Sequence, residues 1–346
     1  MKKNTVNLLI ILAVIVLMHL VFVIIFISSG PARPEVITPP PEPTVIFPEK
    51  ISETPRSPAP VQKKTPDRAN TSTVNFDYSD TVHSVPGINE IKKIRSGILV
   101  DPQTGKVLWA KNATSPVPIA SMSKMMTLLL ALEKLKANIL ISLDTDVEVS
   151  VSSTKVQPTI AGLKSGSSIK LHMLLQTMII RSANDAAELT AEFFGNGSAE
   201  KFIDDMNQRA LQLGMKHTRF SNAHGLPAPN SANDNTGSCE NMVILAMTLL
   251  KHPEAAEWVK MTGVDFVQSG HPPVHLASRN RLLKSCPGVE GIKTGYTRNA
   301  GSCVTTLCKR NGKELIAVIA GAKSYRYRDA AAAKLFDWGF SQLDGK

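Results

Sequence analysis

The chain has 346 residues, of which 43% are hydrophobic and only 5% aromatic, and its formal charge is +10. That length allows one large domain with appendages or two of medium size, with enough apolar residues to bury a core. The scarcity of aromatics excludes a stacking-based binding module. The basic residues form no run of five and do not interleave with aromatics, so the charge describes a solvated surface and no nucleic-acid partner is expected.

Lys2 and Lys3 precede an apolar run from Val6 to Ile27, interrupted only by Asn7 and His19. About 20 such residues cross a bilayer, whereas the core of a signal peptide is shorter, about 7–15 residues. Residues 6–28 are therefore expected to be a transmembrane signal anchor. The positive-inside rule puts residues 1–5 in the cytoplasm and the rest on the extracytoplasmic side. Ser28-Ser29-Gly30 could be cut, but Pro31 would follow the cut and hinder it. His19 reads as a tolerated polar residue, and the absence of a nearby cysteine excludes a lipoprotein anchor. Residues 31–66 hold eleven of the 22 prolines, which rules out helix and ladder and favours extended polyproline II. At about 3.1 Å per residue such a segment spans on the order of 100 Å. Residues 29–80 read as a proline-rich disordered stalk, either a device for reach or a dispensable linker, and 81–346 as the folded domain.

Within that domain, Ser96–Val100 and Val107–Ala110 are short strand-like runs joined by the turn sequence Asp101-Pro-Gln-Thr-Gly105. Helices are expected at 124–135, 171–180, 185–194, 202–213 and 242–250. Strand-like runs follow at 291–293, 302–309 and 314–320, the last two separated by an Asn311-Gly312 hairpin signal. A helix over 329–343 closes the chain. Strands at both ends with helices between them predict an α+β fold: one antiparallel sheet built from the two ends, with a helical cluster packed on it. The four cysteines, Cys239, Cys286, Cys303 and Cys308, lack metal-ligand spacing. They are either buried small hydrophobes or one of three possible disulfide sets. Cys303 and Cys308 lie an odd number apart on one strand, so they face opposite ways and should not pair with each other.

Three short motifs carry chemistry. In Ser121-Met-Ser-Lys124 the serine and lysine share one helix face. A lysine whose pKa is depressed can take a serine proton, and a helix start favours the negative charge that develops. Alone, the motif is indistinguishable from a helix cap. Ser182-Ala-Asn184 places a hydroxyl and an amide after an apolar helix, where they too could be caps. Lys293-Thr-Gly295, at the end of an expected strand, offers a cation and a hydroxyl for a carboxylate, and its glycine permits close approach of a substrate backbone. Together, and in this order, they match the Ser-x-x-Lys, Ser-x-Asn and Lys-Thr-Gly set of penicillin-binding proteins and class A β-lactamases.

The text around the motifs resembles the low-molecular-mass D-alanyl-D-alanine carboxypeptidases over about 90–343. It includes Gly97–Trp109, Ile119–Thr127, Ser182–Ala187, Gly214–Thr218 with His224-Gly-Leu226, Gly288–Thr297, Ala300–Cys303 and Trp338-Gly-Phe340. The resemblance implies the DD-peptidase/β-lactamase-like transpeptidase fold, a peptidoglycan pentapeptide substrate, covalent inhibition by β-lactams, and neither cofactor nor metal. It implies that Ser121 attacks the penultimate D-Ala carbonyl, Lys124 takes its proton, and Ser182 relays a proton to the leaving D-Ala. It further implies that Asn184 holds the substrate amide and orients Lys124, that Lys293 and Thr294 bind the terminal carboxylate, and that Ser121 and Tyr296 supply the oxyanion-hole N–H groups. Arg328 would assist with the carboxylate.

The chain departs from the family pattern at Thr236–Asn241, where Ser-Thr-Ala-x-Asp is usual, and at Ser-Ala-Asn, where Ser-Gly-Asn is commoner. Some relatives carry a further β-rich domain and a C-terminal membrane attachment; here the expectation is a catalytic domain running to residue 346 and an N-terminal anchor. Three other readings compete. A D,D-endopeptidase would use the same groups on crosslinks. A β-lactamase would need Glu200 or Glu240 to activate water, and neither stands in an E-x-x-L-N context. A non-catalytic wall-binding protein would not need the intact motifs.

Overall fold

Strands from the two ends of the folded region meet in a single sheet. The computed structural model describes residues 74–228 and 230–345; the expected membrane span at 6–28 and the proline-rich segment as far as residue 73 lie outside the described residues. β1 (Ser96–Val100) and β2 (Val107–Lys111) form the first hairpin. The Asp101 carboxylate shapes its turn by accepting from the Gln103 N–H at 2.8 Å and the Thr104 hydroxyl at 2.9 Å, the usual work of an aspartate in a turn. The helical part follows: α1 (Lys124–Ala137), α2 (Leu171–Ile180), α3 (Asn184–Phe194), α4 (Ala199–Gln212) and α5 (Cys239–Leu249). β3 (Lys293–Thr297), β4 (Gly301–Arg310), β5 (Lys313–Ala322) and α6 (Tyr325–Leu343) complete the chain. The sheet order is β2-β1-β5-β4-β3, antiparallel throughout.

The sheet is buried on both faces, and the alternation of a strand sorts its side chains. Along β5, Ile316, Val318 and Ala320 turn to the helical cluster, with Met122, Met125 and Leu129 of the α1 region. Leu315, Ala317 and Ile319 turn to α6, against Leu335, Phe336 and Phe340. Cys303 joins the first core and Cys308 the second, as their odd spacing requires. All four cysteines are buried and free in the structure.

Element starts differ from the sequence reading where a serine caps the helix. α4 begins at Ala199 with the Ser198 side chain accepting from the Lys201 N–H, and α6 begins at Tyr325 with Ser324 accepting from the Tyr327 N–H. A cap lets polar residues before the apolar stripe join the helix. Residues 74–80, assigned on sequence to the stalk, instead run along the outer edge of β2. Asp77 donates its N–H to the Gly105 carbonyl at 2.9 Å and accepts from the Val107 N–H at 2.8 Å, which covers an edge that would otherwise be unpaired. Lys293-Thr-Gly295 opens its strand rather than ending it. Before it, Glu290 and Ile292 reach β4 only through single bonds to Leu307 and Thr305, so the regular ladder starts at Lys293.

Candidate active site

Ser121 sits in the 3-10 turn Ala120–Ser123 that leads into α1. That turn has no side-chain cap, so the Ser121 hydroxyl is not used as one. Lys124, the first residue of α1, is fully buried, and its Nζ donates to Ser121 Oγ at 3.1 Å. It also donates to Asn184 Oδ1 at 2.7 Å and to the His224 carbonyl. Ser121 Oγ donates to the same carbonyl at 3.3 Å. Burial, then the charge of Lys293, holds the Lys124 amine well below the usual lysine range, with Asp185 opposing weakly. Lowering the pKa makes the neutral amine, the form able to accept a proton, easier to reach.

The second motif occupies the short link between α2 and α3. Ser182 adopts φ 68°, a left-handed conformation that costs a residue with a side chain about 1–2 kcal/mol and occurs where the surroundings impose it. The N-cap of α3 is Ala183, with no side-chain bond, so neither Ser182 nor Asn184 is the cap that sequence alone allowed. Asn184 has its amide divided: Oδ1 accepts from Lys124, and Nδ2 donates to the Gln157 carbonyl at 2.8 Å. Asp185 is aimed at the preceding loop, where its carboxylate accepts from the N–H groups of Ala161, Gly162 and Leu163. This pins the loop whose Pro158 and Thr159 form one wall of the cleft.

β3 is an edge strand, and it packs against the Ala120–Ser123 turn. Gly295 makes the contact possible: a Cβ there would lie 2.9 Å from the Ile119 carbonyl and 3.2 Å from Ser121 N. The glycine thus serves approach of the protein's own chain to the Ser121 turn, beyond any room it gives a substrate. Lys293 is buried and donates to the Thr294 carbonyl at 3.0 Å. Burial first, then Arg279 and Arg328, push its pKa down to about 7. Tyr296 lines the cleft and is 69% exposed. Arg328, in the first turn of α6, is buried, paired with Asp329 at 2.7 Å and donating to the Cys303 carbonyl. It is not the surface residue an isolated arginine would suggest.

Ser121, Ser182, Thr294, Gly295, Tyr296 and Arg328 all line one cleft of about 700 Å³; Lys124, Asn184 and Lys293 are buried beside them. Neither Glu200 nor Glu240 lines it: Glu200 accepts from Ser198, and Glu240 from Tyr78. Sequence reasoning missed the His224 carbonyl, shared by both members of the Ser-Lys pair. The visible signal was Gly225, which takes φ +81° with its missing Cβ only 2.1 Å from the Ala120 carbonyl. It also missed Arg279 and the loop-holding role of Asp185. The arrangement provides a hydroxyl beside a lysine of lowered pKa, and next to them a cationic surface for an anion.

A family model described as D-alanyl-D-alanine carboxypeptidase matches residues 83–324. The D-alanyl-D-alanine carboxypeptidase DacF of Bacillus subtilis is 35% identical over 253 residues, 72% of this chain and 63% of that protein; the chain therefore spans just over three fifths of that relative's length. A D-alanyl-D-alanine endopeptidase of Pseudomonas aeruginosa is 28% identical, covering 68% of this chain and 74% of that protein. The solved structure of penicillin-binding protein D2 from Listeria monocytogenes, in its ampicillin-bound form, matches with a TM-score of 0.64 at 29% identity, over 72% of this chain and 98% of that one.

Proposed function

This chain belongs to the D-alanyl-D-alanine carboxypeptidase family, and from that membership we propose that it is a membrane-tethered serine carboxypeptidase that removes the terminal D-alanine of peptidoglycan stem peptides. The observation that carries the reading is the buried Lys124, its pKa lowered, with its Nζ 3.1 Å from Ser121 Oγ. In this reading Ser121 Oγ attacks the carbonyl carbon of the penultimate D-Ala as its proton passes to Lys124 Nζ. The oxyanion is met by the backbone N–H groups of Ser121 and Tyr296, each such donor worth roughly 3–4 kcal/mol in the transition state. The C–N bond then breaks, the leaving amine takes a proton through Ser182, and an acyl-enzyme remains on Ser121. Water attacks that ester, giving its proton to Lys124, and frees the shortened peptide.

Asn184 orients Lys124 and offers its second amide N–H to the substrate. Lys293, Thr294 and Arg328 take the terminal carboxylate. A β-lactam would enter as a substrate look-alike and stop at the acyl stage, as suits a relative of a protein crystallised with ampicillin. A β-lactamase is disfavoured because no Asp or Glu is among the residues lining the cleft. The apolar run Val6–Ile27 and the proline-rich segment after it support an N-terminal anchor with the domain outside the membrane. Endopeptidase action on crosslinks stays as the second reading, favoured by the relative that carries that activity in its name.

The test is mass analysis of products from a pentapeptide and from a crosslinked muropeptide, with fluorescent-penicillin labelling in parallel. Loss of D-Ala from the pentapeptide, abolished together with labelling in Ser121→Ala, is the expected result. An active wild type whose Ser121→Ala variant still releases D-Ala would end the assignment.

A further inference from the structure

The cleft is much larger than a departing D-alanine needs, and its charge is one-sided. Five cationic side chains line it, Arg181, Arg279, Arg281, Lys323 and Arg328, and no Asp or Glu does. Among the described residues only Arg328 of these has a carboxylate partner, Asp329. The cations lie within one another's field: burial, followed by Arg181, Arg281 and Arg328, presses the Arg279 pKa down. Like charges gathered without counter-charge oppose folding, so the cluster calls for an anion from outside.

One terminal carboxylate accounts for the floor, Lys293 and Arg328, with Arg279 beside them. Lys293 and Arg328 are buried, whereas Arg279, Arg281 and Lys323, which also line the cleft, are exposed. Two segments carry these cations: Arg281 follows Arg279 by two positions, and Lys323 precedes Arg328 by five. Arg281 lies over the Tyr325 ring at 4.1 Å from its centre, a stacking contact that fixes a guanidinium plane. Arg181, which lines the same cleft, adjoins Ser182, and its Nε is buried without a hydrogen-bond partner.

Resting on the carboxypeptidase reading above, we propose that Arg281, Lys323 and Arg181 form a second anion subsite that receives a leaving group bearing a carboxylate in addition to its terminal one. It lies on the leaving-group side because it continues outward from the groups that hold the terminal carboxylate. Free pentapeptide, which releases only D-alanine, leaves this subsite empty. A crosslinked stem peptide, whose departing amino acid carries a second peptide with further carboxylates, fills it. The cleft therefore accepts a polyanionic leaving group in addition to D-alanine.

The experiment uses the full chain in detergent and two N-acylated peptides of equal length, one ending D-Ala-D-Ala and one ending D-Ala-D-Glu. Each is measured as a substrate and, separately, as a protectant of Ser121 against fluorescent penicillin. The wild type is expected to favour the D-Glu peptide by roughly five- to tenfold in kcat/KM and in protection, the yield of two partly exposed ion pairs. Arg281→Gln/Lys323→Gln should bring that ratio to within about twofold of unity while D-Ala-D-Ala turnover stays at its wild-type level. Lys323→Gln alone, at an exposed position, should give part of the loss if the double variant folds poorly. A wild-type ratio near one, a ratio the variants leave intact, or an equal fall for both peptides, as long-range steering would give, each overturns the subsite. If the wild type hydrolyses neither peptide, the carboxypeptidase reading fails by itself, and the protection ratio still decides the subsite.

Discussion

Gly225→Ala tests whether the His224 carbonyl is part of the reacting assembly. The residue holds φ +81°, and its added methyl carbon would lie 2.1 Å from the Ala120 carbonyl oxygen and 2.8 Å from Ser121 N. Both neighbours are backbone, so neither can swing aside. The left-handed φ alone costs a side chain about 1–2 kcal/mol, and overpacking adds roughly 1–3 kcal/mol, giving a destabilisation of about 2–5 kcal/mol. At roughly 2–4 °C per kcal/mol for a domain of this size, the unfolding midpoint falls by several degrees or more. The displaced carbonyl is the shared partner of Lys124 Nζ and Ser121 Oγ, and a misplacement of about 1 Å typically costs on the order of 100-fold in rate. Fluorescent-penicillin acylation measured below the unfolding transition reads that loss apart from stability. Gly312→Ala is the control: φ is +76° there but nothing lies within 4 Å, so it should lose only the conformational part and acylate normally. Acylation of Gly225→Ala within about twofold of wild type would refute the link between this loop and the Ser-Lys pair.

Asn184→Ala removes the 2.7 Å acceptor of Lys124 and should slow acylation by roughly 10- to 100-fold, the rate equivalent of leaving a buried donor unsatisfied; stopped-flow acylation checks it, and a loss below about threefold would count against it. The pH profile of kcat/KM should be bell-shaped. Lys124 works only when neutral, and its depressed pKa means activity is lost as pH falls. Lys293 binds carboxylate only when protonated, so with its pKa near 7 activity declines as pH rises beyond that value. Lys293→Gln should remove the basic limb and, by lifting the cation that depresses Lys124, move the acid limb to higher pH; an unmoved acid limb argues against the coupling. Arg328→Gln leaves Asp329 unpaired at 15% side-chain exposure and should cost about 3–5 kcal/mol in urea unfolding, together with a raised KM for carboxylate-bearing peptides.

Much of this was legible in the sequence because it rests on periodicity and local chemistry. The β1–β2 hairpin, the α2 boundaries and the antiparallel assembly of both chain ends follow from apolar alternation and turn residues. The three motifs were legible only as a set, since each taken singly has the composition of a cap or a strand end. What stayed hidden depends on tertiary approach. The His224 carbonyl is a main-chain group and leaves no side-chain signature beyond the glycine after it. Asp185 looks like a helix cap until Ala161, Gly162 and Leu163 are seen to donate to it. Residues 74–80 are polar enough to pass for stalk, yet their backbone finds partners on β2. The cationic cleft assembles from α2, the 277–281 segment and the start of α6, so no window of the sequence contains it.

One electrostatic device connects the base with the carboxylate site. Lys293 and its guanidinium neighbours supply positive potential at the floor of the cleft, which suits an incoming carboxylate. The charge of Lys293, added to burial, lowers the affinity of Lys124 for a proton. A lone lysine beside a serine would depend on burial alone, and at Lys293 burial is joined by Arg279 and Arg328 in bringing the pKa to about 7. Placing the two lysines on different elements, one opening α1 and one opening β3, brings them into range only because Gly295 lets β3 close on the Ser121 turn. Ser121 therefore gains its reactivity from the packing of an edge strand against a helix start. That is why the motif holding it means little until the third motif is in place.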